Sequence, residues 1–106
     1  PDGSVVIMKK YTIPPIYYGP DAKSIHSLVA DGCFIEGEVE NSIISRGVII
    51  EKGARVCDSV LMQGAVVRSG ASLAYVIADK NVTINQDRML MGHLTYPLAI
   101  AKESVV

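Results

Sequence analysis

The sequence contains no tryptophan, a single phenylalanine, two cysteines and two histidines in 106 residues. Without Trp, and with small and β-branched residues abundant, a core must be built in narrow, uniform layers. Such a core is a poor pocket for a flat cofactor. Two cysteines cannot make a disulfide scaffold, and free thiols fit a reducing, cytoplasmic setting. Excess charge is lacking too: Lys+Arg is 10 and Asp+Glu is 11, a net charge of −1. A chain so balanced carries no electrostatic footprint for nucleic acid or for an anionic membrane. Uninterrupted apolar runs reach only a few residues, so neither a transmembrane helix nor a secretory signal is expected. What is present excludes disorder: 49% of residues are hydrophobic and 20% charged, enough for one domain with one core.

The chain repeats itself with an offset of 17. Residues 48–64 read VIIEKGARVCDSVLMQG, residues 65–81 read AVVRSGASLAYVIADKN, and VTI at 82–84 opens a third copy. Ile50, Val67 and Ile84 share one column, with Cys33 assigned to it one coil earlier. Val39, Val56 and Leu73 share a second, and Ile44, Leu61 and Ala78 a third. The steps run six, five, six. Four residues after each aliphatic position comes an apolar residue or Gly: Gly37, Ile43, Val48, Ala54, Val60, Ala65, Ala71, Ile77, Val82. An aliphatic residue followed by a small one at a step near six is the hexapeptide signature of a parallel β-helix. Three short strands and three turns make a triangular coil, and stacked coils bury a continuous core. About four to five coils are expected. A β-sandwich would explain the Val/Ile content but not ten aliphatic positions in one register, and no stretch of 33–84 has a helical period.

The first coil is short: Ser27-Leu28-Val29 matches Ser42-Ile43-Ile44 at an offset of 15, Ile35–Val39 has two residues fewer than Ile50–Val56, and a tight corner with positive φ is expected at Gly37. Arg88 falls in the Ala column, where a buried corner would not accept it. Residues 85–97 are therefore expected to leave the prism, and Leu98–Ile100 and Ser104–Val106 to close it. Residues 1–23, with four of the five prolines, read as an irregular, extended lead-in before the β-helix of 24–106. Val5–Met8 is a candidate strand, and Tyr11, Tyr17 and Tyr18 are expected to cap the open end.

With the core on the inward positions, function must lie on the outward ones, the loops or the ends. Phe34, Ile49, Val66 and Thr83 form one outward row. Ile43/Val60/Ile77 and Ile44/Leu61/Ala78 are adjacent columns, so one of the two must face out. Glu38, Arg55 and Ser72 make a polar row on the remaining face. Two apolar stripes in register point to burial against another protein surface. Phe34, Ile49, Val66, Thr83, Ile43, Val60 and Ile77 are thus the candidate interface.

Signs of chemistry are sparse. Two separated histidines, His26 and His93, fall short of the three-His zinc site of a hexapeptide carbonic anhydrase. An acyltransferase of this class would place a catalytic His beside a projecting loop, and no long loop interrupts 38–84. Cys33 reads as a small core residue and Cys57 as facing solvent, too far apart in phase to pair. The carboxylates are dispersed, and the glycine segments lack a P-loop context. No catalytic, cofactor or metal residue is assigned.

The segment at 13–67, IPPIYYGPDAKSIHSLVADGCFIEGEVENSIISRGVIIEKGARVCDSVLMQGAVV, resembles the C-terminal region of glucose-1-phosphate adenylyltransferases, in particular the regulatory, glycogen-biosynthesis subunit type. The elements are the Pro-Pro lead-in, SLVADGCFIEG, VENSIISRGV, the Met-Gln-Gly after SVL, and YVIADKNVTI. The resemblance implies a left-handed β-helix used for subunit assembly, usually tetrameric, and for allosteric regulation. It implies a reaction of glucose 1-phosphate with ATP to ADP-glucose and pyrophosphate, with Mg²⁺ and ATP held by an N-terminal catalytic domain that these residues do not include. On that reading the chain has no activity alone, and its partners are its own catalytic domain and further subunits. The alternatives are a free-standing hexapeptide acyltransferase dependent on His26 or His93, and the β-helix of another sugar nucleotidyltransferase.

Overall fold

Pairs and triplets of β-branched residues separated by turns are too short to pair with their chain neighbours. They bond instead to the equivalent residues one coil away. The computed structural model describes residues 15–106, and its fifteen strands of two or three residues form three parallel sheets of five strands each. Val66–Val67 pairs with Ile49–Ile50 on one side and Thr83–Ile84 on the other. Arg55–Cys57 lies between Glu38–Glu40 and Ser72–Ala74, and Val60–Leu61 between Ile43–Ile44 and Val76–Ala78. The protein is an all-β parallel solenoid, a three-sided prism of hexapeptide type. The candidate strand Val5–Met8 and the proposed cap residue Tyr11 lie outside the described residues.

Three inward columns build the axis: Ile35, Ile50, Val67 and Ile84; Val39, Val56 and Leu73; Ile44, Leu61 and Ala78. All are buried, and each large aliphatic side chain contributes about 1.5–3 kcal/mol relative to its exposed state. Val48, Ala65 and Val82 fill one corner, and Ala54 and Ala71 another. Most corners bend through left-handed backbone. Glycine supplies it at Gly47 and Gly64 on one edge and at Gly53 and Gly70 on the next. The last coil replaces Gly with Asn81 and Asp87, which tolerate that conformation. The third edge has no glycine there in four tiers: His26, Asn41, Asp58 and Tyr75 take φ of 48°, 49°, 49° and 55°.

Several expectations are corrected. Cys33 does not precede Ile50 in its column; Ile35 does. The two missing residues lie between Ile35 and Val39, so Cys33 falls into the corner column with Val48. Gly37 does tighten that corner, but not through positive φ. A Cβ there would stand 2.4 Å from the Ala54 carbonyl oxygen and 2.8 Å from that of Glu51, so close approach of backbone demands the glycine. Ile43, Val60 and Ile77, although in the series four residues after each aliphatic position, do not point into the corner; Ser42, Ser59 and Val76, one residue earlier, are buried there. Alternation from inward Ile44 makes this necessary, since residues 42 and 44 share a face.

Residues 85–97 do not all leave the prism. Met89–Met91 pairs with Ser72–Ala74, and only 92–97 departs, as a tight hairpin closed by mutual His93 and Tyr96 backbone bonds of 3.0 Å. Arg88 is tolerated because its corner is the last on that edge and opens to solvent. Leu98–Ile100 pairs with Val76–Ala78, and Val105 bridges to Thr83. The lead-in is not irregular throughout, since Tyr17–Tyr18 and Lys23–Ile25 are strands. Tyr17 is no cap: it stacks on Phe34 with ring centroids 4.4 Å apart, extending the outward row of that face.

Candidate functional site

The prism interior is filled, so the surfaces available for function are its three outer faces and the hairpin. On the first face the outward row runs Tyr17, Phe34, Ile49, Val66, Thr83, continued by Val105. Phe34 and Ile49 are exposed, Val66 and Thr83 half-buried. The third face settles which adjacent column points out. Ile44, Leu61 and Ala78 face the axis, while Ile43 is exposed and Val60 and Ile77 are half-buried. Leu28 and Ala99 extend this row at its two ends. The structure therefore gathers the seven candidate interface residues into two rows on two faces, not one patch.

The second face is charged in its middle tiers and carries exposed Met89 and Met91 in its last. Lys23, Glu38, Arg55 and Ser72 stand in one outward row, with Arg55 and Glu38 3.7 Å apart. Both groups are exposed, so the pair contributes about 0–1 kcal/mol.

A groove of about 310 Å³ lies where the hairpin meets the third face. Ile43, Val60 and Ile77 form its floor, Asn41, Asp58 and Tyr75 its corner wall, and Leu94 and Pro97 its end. The wall owes its position to a ladder that the repeat analysis did not find. Ser27 Oγ accepts from Ser42 N–H, Ser42 Oγ from Ser59 N–H, and Ser59 Oγ from Val76 N–H, each at 3.1 Å. In turn Ser42 and Ser59 hydroxyls donate to the carbonyls of Glu40 and Cys57 at 2.8 Å. The signal was a serine recurring at offsets of 15 and 17 directly after a residue able to adopt left-handed backbone.

Among the described residues no catalytic constellation emerges. His26 and His93 are exposed at opposite ends of the serine-lined edge. Among the described residues no group of three or more His, Cys, Asp or Glu is placed to hold a metal ion. Cys33 and Cys57 are both free thiols. Burial pushes the Cys33 thiol above its ordinary pKa, with Asp31 adding to the rise; its Sγ donates to the Ser45 carbonyl at 3.0 Å. Desolvation also raises Cys57, reinforced by Glu40 and Asp58 and opposed by Arg55. Neither thiol is activated as a nucleophile. Among the described residues no helix is long and apolar enough to cross a membrane.

Taken together, the three parallel sheets and the six-residue step define the hexapeptide class of β-solenoid. Residues 18–93 match the family model of the GlmU-like C-terminal hexapeptide domain, and the chain belongs to that family. Its hexapeptide region is homologous to glucose-1-phosphate adenylyltransferases. It is 40% identical over 75 residues to that enzyme from Clostridioides difficile (strain 630), covering 71% of this chain and 19% of the enzyme. It is 35% identical over 77 residues to those of Bacillus thuringiensis (strain Al Hakam) and Bacillus anthracis, covering 73% of this chain and 20% of each. The chain spans about a fifth of the length of these curated relatives.

Proposed function

We propose that this chain is the C-terminal assembly and regulatory domain of a glucose-1-phosphate adenylyltransferase subunit serving glycogen biosynthesis. Its winding is left-handed on this reading, as in the family it resembles. The observation that carries the proposal is the homology over the whole regular stack, combined with two stacked apolar rows and no gathered acid–base pair among the described residues. The first-face row, Phe34, Ile49, Val66 and Thr83, and the third-face row, Ile43, Val60 and Ile77, are the contact surfaces for the catalytic domain and for neighbouring subunits. Mg²⁺ and ATP belong to the catalytic domain, not to this prism. The two free thiols accord with a cytoplasmic location.

The test uses a full-length subunit that contains this domain. Deleting residues 15–106 is expected to abolish the native assembly and the response to effectors. A deletion mutant that keeps both refutes the proposal. The pure 106-residue chain, given ATP, glucose 1-phosphate and Mg²⁺, is expected to release no pyrophosphate; release would assign it catalysis of its own.

A further inference from the structure

The groove beside the hairpin is apolar at its base and acidic along one side. Ile43, Val60 and Ile77 are its floor, Leu94 and Pro97 close one end, and no cation lines it. On its corner wall Asp58 is exposed, and Glu40 stands one tier below, its carbonyl accepting from Asp58 N–H at 3.0 Å. Both carboxylates act on one thiol, since each raises Cys57. Among the described residues the ion pairs are Lys52 with Asp21 and Arg55 with Glu38, so neither Glu40 nor Asp58 is neutralised there. The opposite margin of the face is mixed. Asp79 is half-buried beside Lys80, whose N–H it accepts at 2.7 Å, and Lys80 lines a shallow trough together with Arg46. The acidic side of the floor is therefore the serine-lined edge.

From this we infer that the groove takes an extended segment of a partner protein in which a bulky apolar side chain stands next to a lysine or arginine. The inference rests on the contact role proposed above for the third-face row and adds the chemistry of the occupant. Ile43 and Ile77 lie two tiers apart, about 9.6 Å, which is the length of about three extended residues. The apolar side chain lies on Val60 and Ile77 and stops against Leu94 and Pro97, a recess in which one anchor is desolvated on several sides. The basic side chain reaches back to the wall and pairs with Asp58, its stem covering apolar surface while its head stays in water. Charges on such a rim supply register and a salt-sensitive attraction more than tightness. They also select against other occupants: nucleic acid and anionic lipid would meet Asp58 and Glu40 with like charge.

Two short synthetic peptides test this on the 106-residue chain. Each has a central Leu-Phe pair, flanked by lysines in one and by glutamates in the other. The lysine peptide is expected to shift the amide resonances of Val60, Tyr75, Ile77 and Leu94 saturably. At low salt it should bind at least about tenfold tighter than the glutamate peptide, and that preference should largely vanish at about 0.5 M salt. It should also vanish when Asp58→Asn is combined with Glu40→Gln. Asparagine keeps the left-handed corner intact, as Asn41 does in the tier below. Leu94→Ser, at a side chain 77% exposed, should weaken the lysine peptide severalfold with far-UV circular dichroism unchanged. Absence of saturable shifts, equal binding of the two peptides, or a charge preference that survives the double substitution overturns the inference. So do shifts confined to the first face around Phe34 and Ile49. Groove resonances that change with protein concentration alone would overturn it too, because a second copy is then the occupant. The two readings fail separately: a lysine peptide that does not bind sinks the groove alone, whereas full-length assembly that survives deletion of 15–106 sinks the assembly role alone.

Discussion

Replacing Ser59 with alanine removes one hydroxyl and strands one backbone donor, the Val76 N–H. Ser59 is 3% exposed; its Oγ accepts from Val76 N–H at 3.1 Å and donates to the Cys57 carbonyl at 2.8 Å. Val76 is fully buried, so its N–H has no water to turn to. An unsatisfied buried donor costs about 1–3 kcal/mol, while the Cys57 carbonyl keeps its bond from Tyr75 N–H at 3.3 Å. Against this, alanine keeps the small volume of the corner and leaves no cavity. The expected loss is about 2 kcal/mol. At a urea m-value of about 1–3 kcal/mol per molar, the unfolding midpoint falls by about 1 M with m unchanged. Ser72, half-buried on the second face, is the control: Ser72→Ala should move stability by less than about 0.5 kcal/mol. Equal midpoints for the two variants would refute the ladder as a source of stability.

Gly37→Ala forces a Cβ against the carbonyl oxygens of Ala54 and Glu51; a loss of about 3 kcal/mol or failure to fold is expected, read by urea denaturation. Leu61→Ala, at the buried centre of its column, should cost about 2–5 kcal/mol in the same assay. Tyr75→Asn places a residue tolerant of left-handed backbone at φ 55° and should stabilise by about 1 kcal/mol, unless ring contacts in the groove outweigh the strain. Because Glu40 and Asp58 help raise the Cys57 thiol pKa, less thiolate is present near neutrality than for a free cysteine. Alkylation by iodoacetamide should be slow at pH 7, rise with pH, and quicken in Glu40→Gln; an unchanged rate in that variant would remove the electrostatic cause. Cys33 should react only on unfolding.

The inward columns were readable because 17 residues is one full coil, so stacking repeats the same side-chain type at the same phase. What eluded the periodicity were departures from it. The two-residue shortening is legible at Ile35–Val39, which is shorter than Ile50–Val56, yet counting six back from Val39 still assigns Cys33 to the column. The backbone selects Ile35 because the shortening falls at Glu36-Gly37. Arg88 looked incompatible with its column because burial was inferred from coils above and below, and the last coil has none below. The serine ladder was hidden by its chemistry. A hydrophobic pattern search skips Ser42 and Ser59 and takes their apolar neighbours Ile43 and Val60, which in fact face out. The inner slot can be polar there because each hydroxyl meets both a donor and an acceptor of the adjoining backbone.

Tyr75 shows how local strain and the surface groove are connected. Its counterparts along the edge, His26, Asn41 and Asp58, can adopt left-handed backbone at little cost, whereas an aromatic residue there costs about 1–2 kcal/mol. In the following tier the chain does not turn directly: Gly92 donates to the Ala74 carbonyl, the hairpin projects, and Leu98 N–H returns to the Tyr75 carbonyl at 2.9 Å. A Cβ on Gly92 would lie 2.3 Å from that same carbonyl oxygen. The Tyr75 backbone is thus the point on which both stems of the hairpin close, and its side chain walls the groove that the hairpin overhangs. The strained residue and the protruding loop form one unit, and that unit sets which apolar tiers the molecule covers itself and which stay exposed.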